Sequence, residues 1–184
     1  MPTSLIILII IVLILALMYN SLVAKKNQVE NIFASVDTNL KKRYDLIPNL
    51  VASVKQYMQH EKSLLEEVTK LRAEANRPNL SDGEKISLDA KVTSALGSIM
   101  VAVENYPELK ANENVMHLQH TLHEVEEQIS AARRAYNQAV TDYNNAIEMV
   151  PTNFMASLMN YRRKEVFEIV ESERKNVDVK ELFS

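Results

Sequence analysis

Cysteine is absent from the 184-residue chain, and glycine occurs only twice. Without a thiol there is no disulfide, thiolate metal site, lipoprotein acylation or cysteine nucleophile, and redox chemistry says nothing about compartment. Two glycines and five prolines are too few for an all-β or loop-rich fold. Gly83 and Gly97 stand alone, so no glycine-rich loop is available to cradle a phosphate. The Gly-x-Ser-x-Gly elbow of a serine hydrolase is missing. An excess of positive charge is also lacking: the formal net charge is −3, which excludes a nucleic-acid binder by bulk electrostatics. A secretory signal peptide needs a basic start and a small-x-small cleavage site. Nothing basic precedes Leu5, and Ala16-Leu17-Met18 is a poor site.

What is present is helix-forming sequence behind one long apolar run. Leu5 to Met18 is unbroken aliphatic sequence, and extension through Ala24 reaches the roughly 20 residues that span a bilayer. Tyr19 suits an interface. Lys25 and Lys26 follow the run, so the positive-inside rule places the N-terminus outside and the large C-terminal part in the cytoplasm. The expected location is a cell membrane, crossed once.

The following apolar positions, among them Val29, Phe33, Val36, Leu40, Ile47, Val51, Val54 and Met58, recur at spacings near three and four. They predict one helix from the anchor to about Asn76. Pro48 lies inside it and removes a backbone donor, so a kink is expected there. Arg77-Pro78 breaks the chain, and Ser81 with Glu84 forms a capping box for a second helix that ends at Tyr106-Pro107. Asn112 caps a third helix, whose seam is Val115, Leu118, Leu122, Val125, Ile129, Ala132, Tyr136, Ala139 and Tyr143. Thr152 or Asn153 is expected to cap a fourth helix that carries Phe154, Met155, Leu158, Met159, Val166, Phe167 and Val170. Val177-Asp178-Val179 suggests a short extended tail. The reading is an all-α protein: an N-terminal transmembrane helix continuing into a long kinked helix of an antiparallel four-helix bundle. It divides into an anchor (1–24), a membrane-proximal stalk (25–47), the bundle (48–176) and the tail (177–184).

Several segments together resemble the LemA family. They are Tyr19 to Val23, Arg43-Tyr44-Asp45-Leu46-Ile47-Pro48-Asn49-Leu50-Val51, His60-Glu61, Tyr106-Pro107-Glu108-Leu109-Lys110-Ala111, Ile129 to Asn137, and Tyr143-Asn144 with Pro151 beyond. Lys42-Arg43 stands where the family often has an arginine pair. The resemblance implies a membrane anchor with a helical bundle and no established catalytic site. One branch of that family is associated with magnetosome membrane formation, which points toward membrane organisation.

Three constellations bear on function. His117, His120, His123, Glu124 and Glu127 share the third helix. His120–Glu124 and His123–Glu127 are each one turn apart, but they fall on its outer face, so a solvated polar surface is preferred to a metal site. Equal rise along the first two helices is expected to bring the Tyr106–Ala111 turn beside Tyr44–Leu50, with Arg43, Asp45, Asn49, Tyr106 and Lys110 as one partner-binding surface. By the same reckoning residues 19–47 have no partner within the chain, so Val29, Ile32, Phe33, Val36 and Leu40 are expected to pack on other copies near the membrane. The functional expectation is a non-enzymatic, self-assembling scaffold that organises membrane and membrane proteins. The alternative is an adaptor or regulatory subunit for a membrane-bound enzyme such as a protease. The expected partners are the lipid bilayer, further copies and a membrane protein. No cofactor, nucleic acid or small-molecule substrate is expected.

Overall fold

A computed structural model describes residues 3–167, and all of its regular elements are helices. They are α1 (Thr3–Val54), α2 (Lys62–Ala75), α3 (Asp82–Val103), α4 (Pro107–Lys110), α5 (Glu113–Glu148) and α6 (Thr152–Leu158). Four of them, α1, α2, α3 and α5, carry most of a single hydrophobic core. α1 packs along α5, and α2 packs along α3.

Local chemistry accounts for the helix starts. Ser81 accepts from the Glu84 backbone N–H at 3.3 Å while Glu84 Oε2 accepts from the Ser81 N–H at 2.9 Å, the reciprocal box expected from the sequence. Asn112 Oδ1 accepts from the N–H groups of Asn114 and Val115. The seam on α5 is buried as expected, with Leu118 and Ala132 half-buried at its margins.

Four expectations are corrected. The first helix does not reach Asn76. It ends at Val54, and residues 55–61 turn the chain before α2. Met58, fully buried, packs into the core from that turn, so tertiary contact stops a segment that no glycine or proline interrupts. The fourth helix is also shorter than expected. α6 ends at Leu158, and neither Thr152 nor Asn153 caps it: Thr152 Oγ1 instead donates to the carbonyls of Ala146 and Met149. Asn160, at φ 54°, then reverses the chain, with Tyr161 N–H donating to the Ala156 carbonyl and Asn160 N–H to that of Ser157, a Schellman closure. Residues 161–167 run on without helix. Val170 and the 177–184 tail lie outside the described residues.

The last correction concerns residues 19–47, which do have a partner within the chain. α5 has 36 residues and α3 has 22, lengths of about 54 and 33 Å at 1.5 Å per residue, so α5 descends beyond α3 along α1. Phe33 meets Tyr136, with ring centroids 5.3 Å apart. Val29, Phe33, Val36 and Leu40 are buried and Ile32 is half-buried. The stripe assigned to other copies is filled by the chain's own α5, and burial begins as low as Leu22.

α1 runs through Pro48 without interruption. Proline has no N–H, which leaves the carbonyl of Tyr44 without its helical donor. Arg72 of α2 supplies one: its Nε–H donates to that carbonyl at 2.9 Å. Arg72→Met should therefore cost about 1–3 kcal/mol. In a Pro48→Ala background the new backbone N–H at position 48 takes over, and the cost of losing Arg72 should shrink. Urea unfolding midpoints of the four proteins give the coupling, expected at about 0.5–3 kcal/mol. Equal costs in both backgrounds would refute it.

Candidate functional site

Four charged side chains from three helices meet inside the head, the packed part of the chain from Leu22 onward. Arg43 of α1 lies on the seam itself, three residues after Leu40 and four before Ile47, and is completely buried. Asp89, on the flank of the α3 seam, is 1% exposed. Glu126 and Arg133 reach in from α5 and are half-buried. The two Asp89 oxygens are divided between the guanidinium groups: Oδ1 accepts from Arg43 and Oδ2 from Arg133. Arg43 Nη1 also donates to Glu126 Oε2 and to Thr93 Oγ1, each at 2.8 Å. Arg133 Nη1 lies 3.8 Å from the other Glu126 oxygen. Two cations and two anions leave the cluster formally neutral.

Burial is the largest influence on Asp89 and Arg43. It pushes the Asp89 carboxyl up, against the pull of Arg43 and then Arg133. For Arg43 burial alone would lower the pKa, and Asp89 with Glu126 more than reverses this, so the guanidinium stays charged. Tyr44 and Tyr136 are both pushed up to about 12, chiefly by burial. With both oxygens of Asp89 engaged, its carboxylate is not free to act as a base. The Nε atoms of Arg43 and Arg133 are buried without a partner among the described residues. The cluster is built to lock helices: a neighbouring register of α1, α3 or α5 would strand a buried charge.

A second constellation lies lower on α5. Asn137 and Asn144 are seven residues apart, about 10.5 Å along the helix. Each grips the backbone of the 161–167 strap at both poles. Asn137 Nδ2 donates to the Phe167 carbonyl at 2.9 Å and its Oδ1 accepts from the Phe167 N–H at 2.8 Å. Asn144 makes the same pair of bonds to Lys164, both at 3.0 Å. Three residues of extended chain cover about 10 Å, so the two spacings match. The Phe167 ring stands edge-on to Tyr136 at 5.4 Å with the Arg133 guanidinium 5.7 Å away, and Tyr161 tilts against Tyr143 at 6.0 Å. The Tyr143 hydroxyl donates to the Arg162 carbonyl at 3.1 Å, the kind of partner a buried phenol needs. Tyr136 fits between Phe33 and Phe167, and its hydroxyl forms no hydrogen bond among the described residues.

The expected composite surface loses its first member. Arg43 faces the interior. Asp45 is exposed beside Lys41, at 3.4 Å, and Asn49 is exposed. Tyr106 donates to Glu61 at 2.6 Å and Lys110 pairs with Glu104 at 2.7 Å. The chain first reverses at 55–61, where the sequence predicts one helix running on to about Asn76, so α3 carries Tyr106 to the level of Glu61. The histidines stand where the sequence puts them. His120–Glu124 and His123–Glu127 are exposed pairs at 3.6 Å, and among the described residues no group of three metal-ligating side chains gathers. Sequence reasoning misses the charged cluster because arginine and aspartate ordinarily lie on surfaces. The available signal is that Arg43 and Arg133 sit at seam spacing from Ile47 and Ile129.

Among the described residues two helices, α1 and α3, are long and apolar enough to cross a membrane. α3 spends its apolar face on the core, whereas Leu5 to Leu17 are exposed. An apolar N-terminal helix that becomes, without a linker, a principal helix of an ion-locked head defines an all-helical protein equipped with a candidate membrane anchor. The chain belongs to the LemA family, whose model matches residues 32–180. It is 25% identical to Protein LemA of Metamycoplasma hominis over 163 residues, 89% of this chain and 74% of that one. It is 32% identical to Magnetosome protein MamQ 2 of Paramagnetospirillum magneticum over 83 residues, 45% of this chain and 30% of the relative. It is 29% identical to Magnetosome protein MamQ of Magnetospirillum gryphiswaldense over 82 residues, again 45% and 30%.

Proposed function

We propose that the protein acts by association and without catalysis, as a membrane-anchored scaffold that holds a helical head in a fixed attitude above the bilayer. The observation that carries this reading is the continuity of α1. One 52-residue helix contains both the apolar run and a wall of the core, from Leu22 to Val54. A tethered enzyme needs only a flexible leash. A helix shared by anchor and head transmits position and orientation, which suits a part that organises its neighbours. The magnetosome relatives named above lend a membrane context to the same reading. The head lies in the cytoplasm on this proposal, following the lysines after the run. Self-assembly remains part of the proposal, but through an outer face, since the stripe from Val29 to Leu40 is filled.

Crosslinking in intact membranes, followed by gentle detergent extraction and sizing, tests it. A large assembly of this chain alone supports the scaffold. A defined complex with one other membrane protein transfers support to the adaptor reading. A monomer that captures nothing would refute both.

A further inference from the structure

We infer that the head carries a second membrane contact, an apolar tip formed by the α5–α6 turn that dips into the bilayer surface beside the anchor. The inference rests on the reading that the apolar run of α1 is embedded. The tip is Met149 to Met159, a stretch with no charged residue in a chain that is 24% charged. Within it Met149 is 63% exposed, Val150 74%, Phe154 73% and Leu158 83%. Elsewhere on the head large exposed apolar side chains such as Val101 and Met116 stand singly. Four together on one turn form a patch that water does not favour.

The depth of the tip follows from the α1–α5 pairing. Phe33 is level with Tyr136, and α5 runs down as α1 runs up. About 16 Å lower, at 1.5 Å per residue, Ile147 comes level with Leu22. Leu22 is fully buried and Met18, one turn below, is half-buried, while Leu15 and Leu17 are exposed. α6 packs against α1. The tip is therefore level with the last turns of the apolar run, which needs residues up to about Ala24 to span a hydrocarbon core of roughly 30 Å. Just above the tip the side chains become amphipathic and basic. Lys26 lies 6.0 Å over the Tyr161 ring and Arg162 is exposed beside it. Glu148, the acidic residue that borders the tip, is paired with Arg163. Apolar tip, aromatic ring and basic rim follow the order of acyl chain, interface and headgroup. The occupant of this surface is the lipid bilayer.

The absence of cysteine makes the test direct. Single variants Phe154→Cys, Leu158→Cys, Leu13→Cys and Val101→Cys of the full chain are labelled with an environment-sensitive fluorophore. They are then reconstituted in phosphatidylcholine–phosphatidylglycerol vesicles. Nitroxide lipids labelled near the glycerol or near the chain end report depth. Positions 154 and 158 should show blue-shifted emission and be quenched most by the shallow nitroxide, with Leu13→Cys quenched most by the deep one. Val101→Cys, at the far end of the head, should be quenched only by aqueous iodide. If 154 and 158 behave like 101 while 13 is quenched, the inference falls and the anchor stands. If position 13 is also water-like, the anchor reading falls and takes the inference with it.

Discussion

Asp89→Ala should cost the head about 3–5 kcal/mol, because it leaves one buried and one half-buried guanidinium group facing one half-buried carboxylate. Domains of this size hold about 5–15 kcal/mol in total, so the variant should unfold at a much lower urea midpoint in detergent or nanodiscs. The opposite result is expected when the whole cluster is made apolar. Arg43→Met, Asp89→Leu, Glu126→Leu and Arg133→Met combined should be neutral or about 1–4 kcal/mol more stable, since desolvating four charges consumes most of their mutual attraction. The contrast separates a register lock from a net source of stability. A loss below about 1 kcal/mol for Asp89→Ala would show the cluster to be solvated.

Removing the two asparagines should free the strap without unfolding the helices. Asn137→Ala and Asn144→Ala each delete two hydrogen bonds to backbone groups that no neighbouring strand would replace. At about 1–3 kcal/mol for each site and 1.4 kcal/mol per tenfold, one substitution should raise the open population by roughly 5- to 150-fold. Tryptic cleavage after Arg162 and Arg163 follows that population when closing outpaces cutting. The double variant should be cut faster than either single one, with helicity retained. Gln138→Ala, which removes an amide bonded to Asp142 one turn along the same helix, is the control. Equal cleavage in all four proteins would mean that the aromatic contacts alone hold the strap.

The outline of the fold is legible in the sequence because three devices are local. The capping box at Ser81, the cap at Asn112 and the alternating three–four seam of α5 are each written within a few turns of chain. The features that escape sequence reading are long-range. Residues 55–61 contain neither glycine nor proline, and the chain turns there because Met58 enters a core built by distant helices. Residues 161–167 keep an apolar spacing that also fits a helix, but the amides of Asn137 and Asn144 hold the chain extended. Even the repeated Tyr-Asn pair gives no sign in the sequence that its partner is backbone. Arg43 illustrates the same limit. Its place in the seam is visible, but its counter-charge lies 46 residues further on.

That distance has a consequence during synthesis. The stripe on α1 from Val29 to Leu40 leaves the ribosome early, while the helix that covers it is made late. Arg43 and Glu126 are separated by 83 residues, and at about 5–20 residues per second the later one follows roughly 4–17 s behind. For those seconds α1 is an amphipathic rod already attached to its apolar run, with Phe33 and Leu40 bare. A nascent chain in that state offers its greasy side to any chaperone, translocon or lipid surface within reach. The protein's vulnerable interval thus precedes the arrival of α5, and crowding of unfinished copies is when its chains are most at risk of sticking to one another.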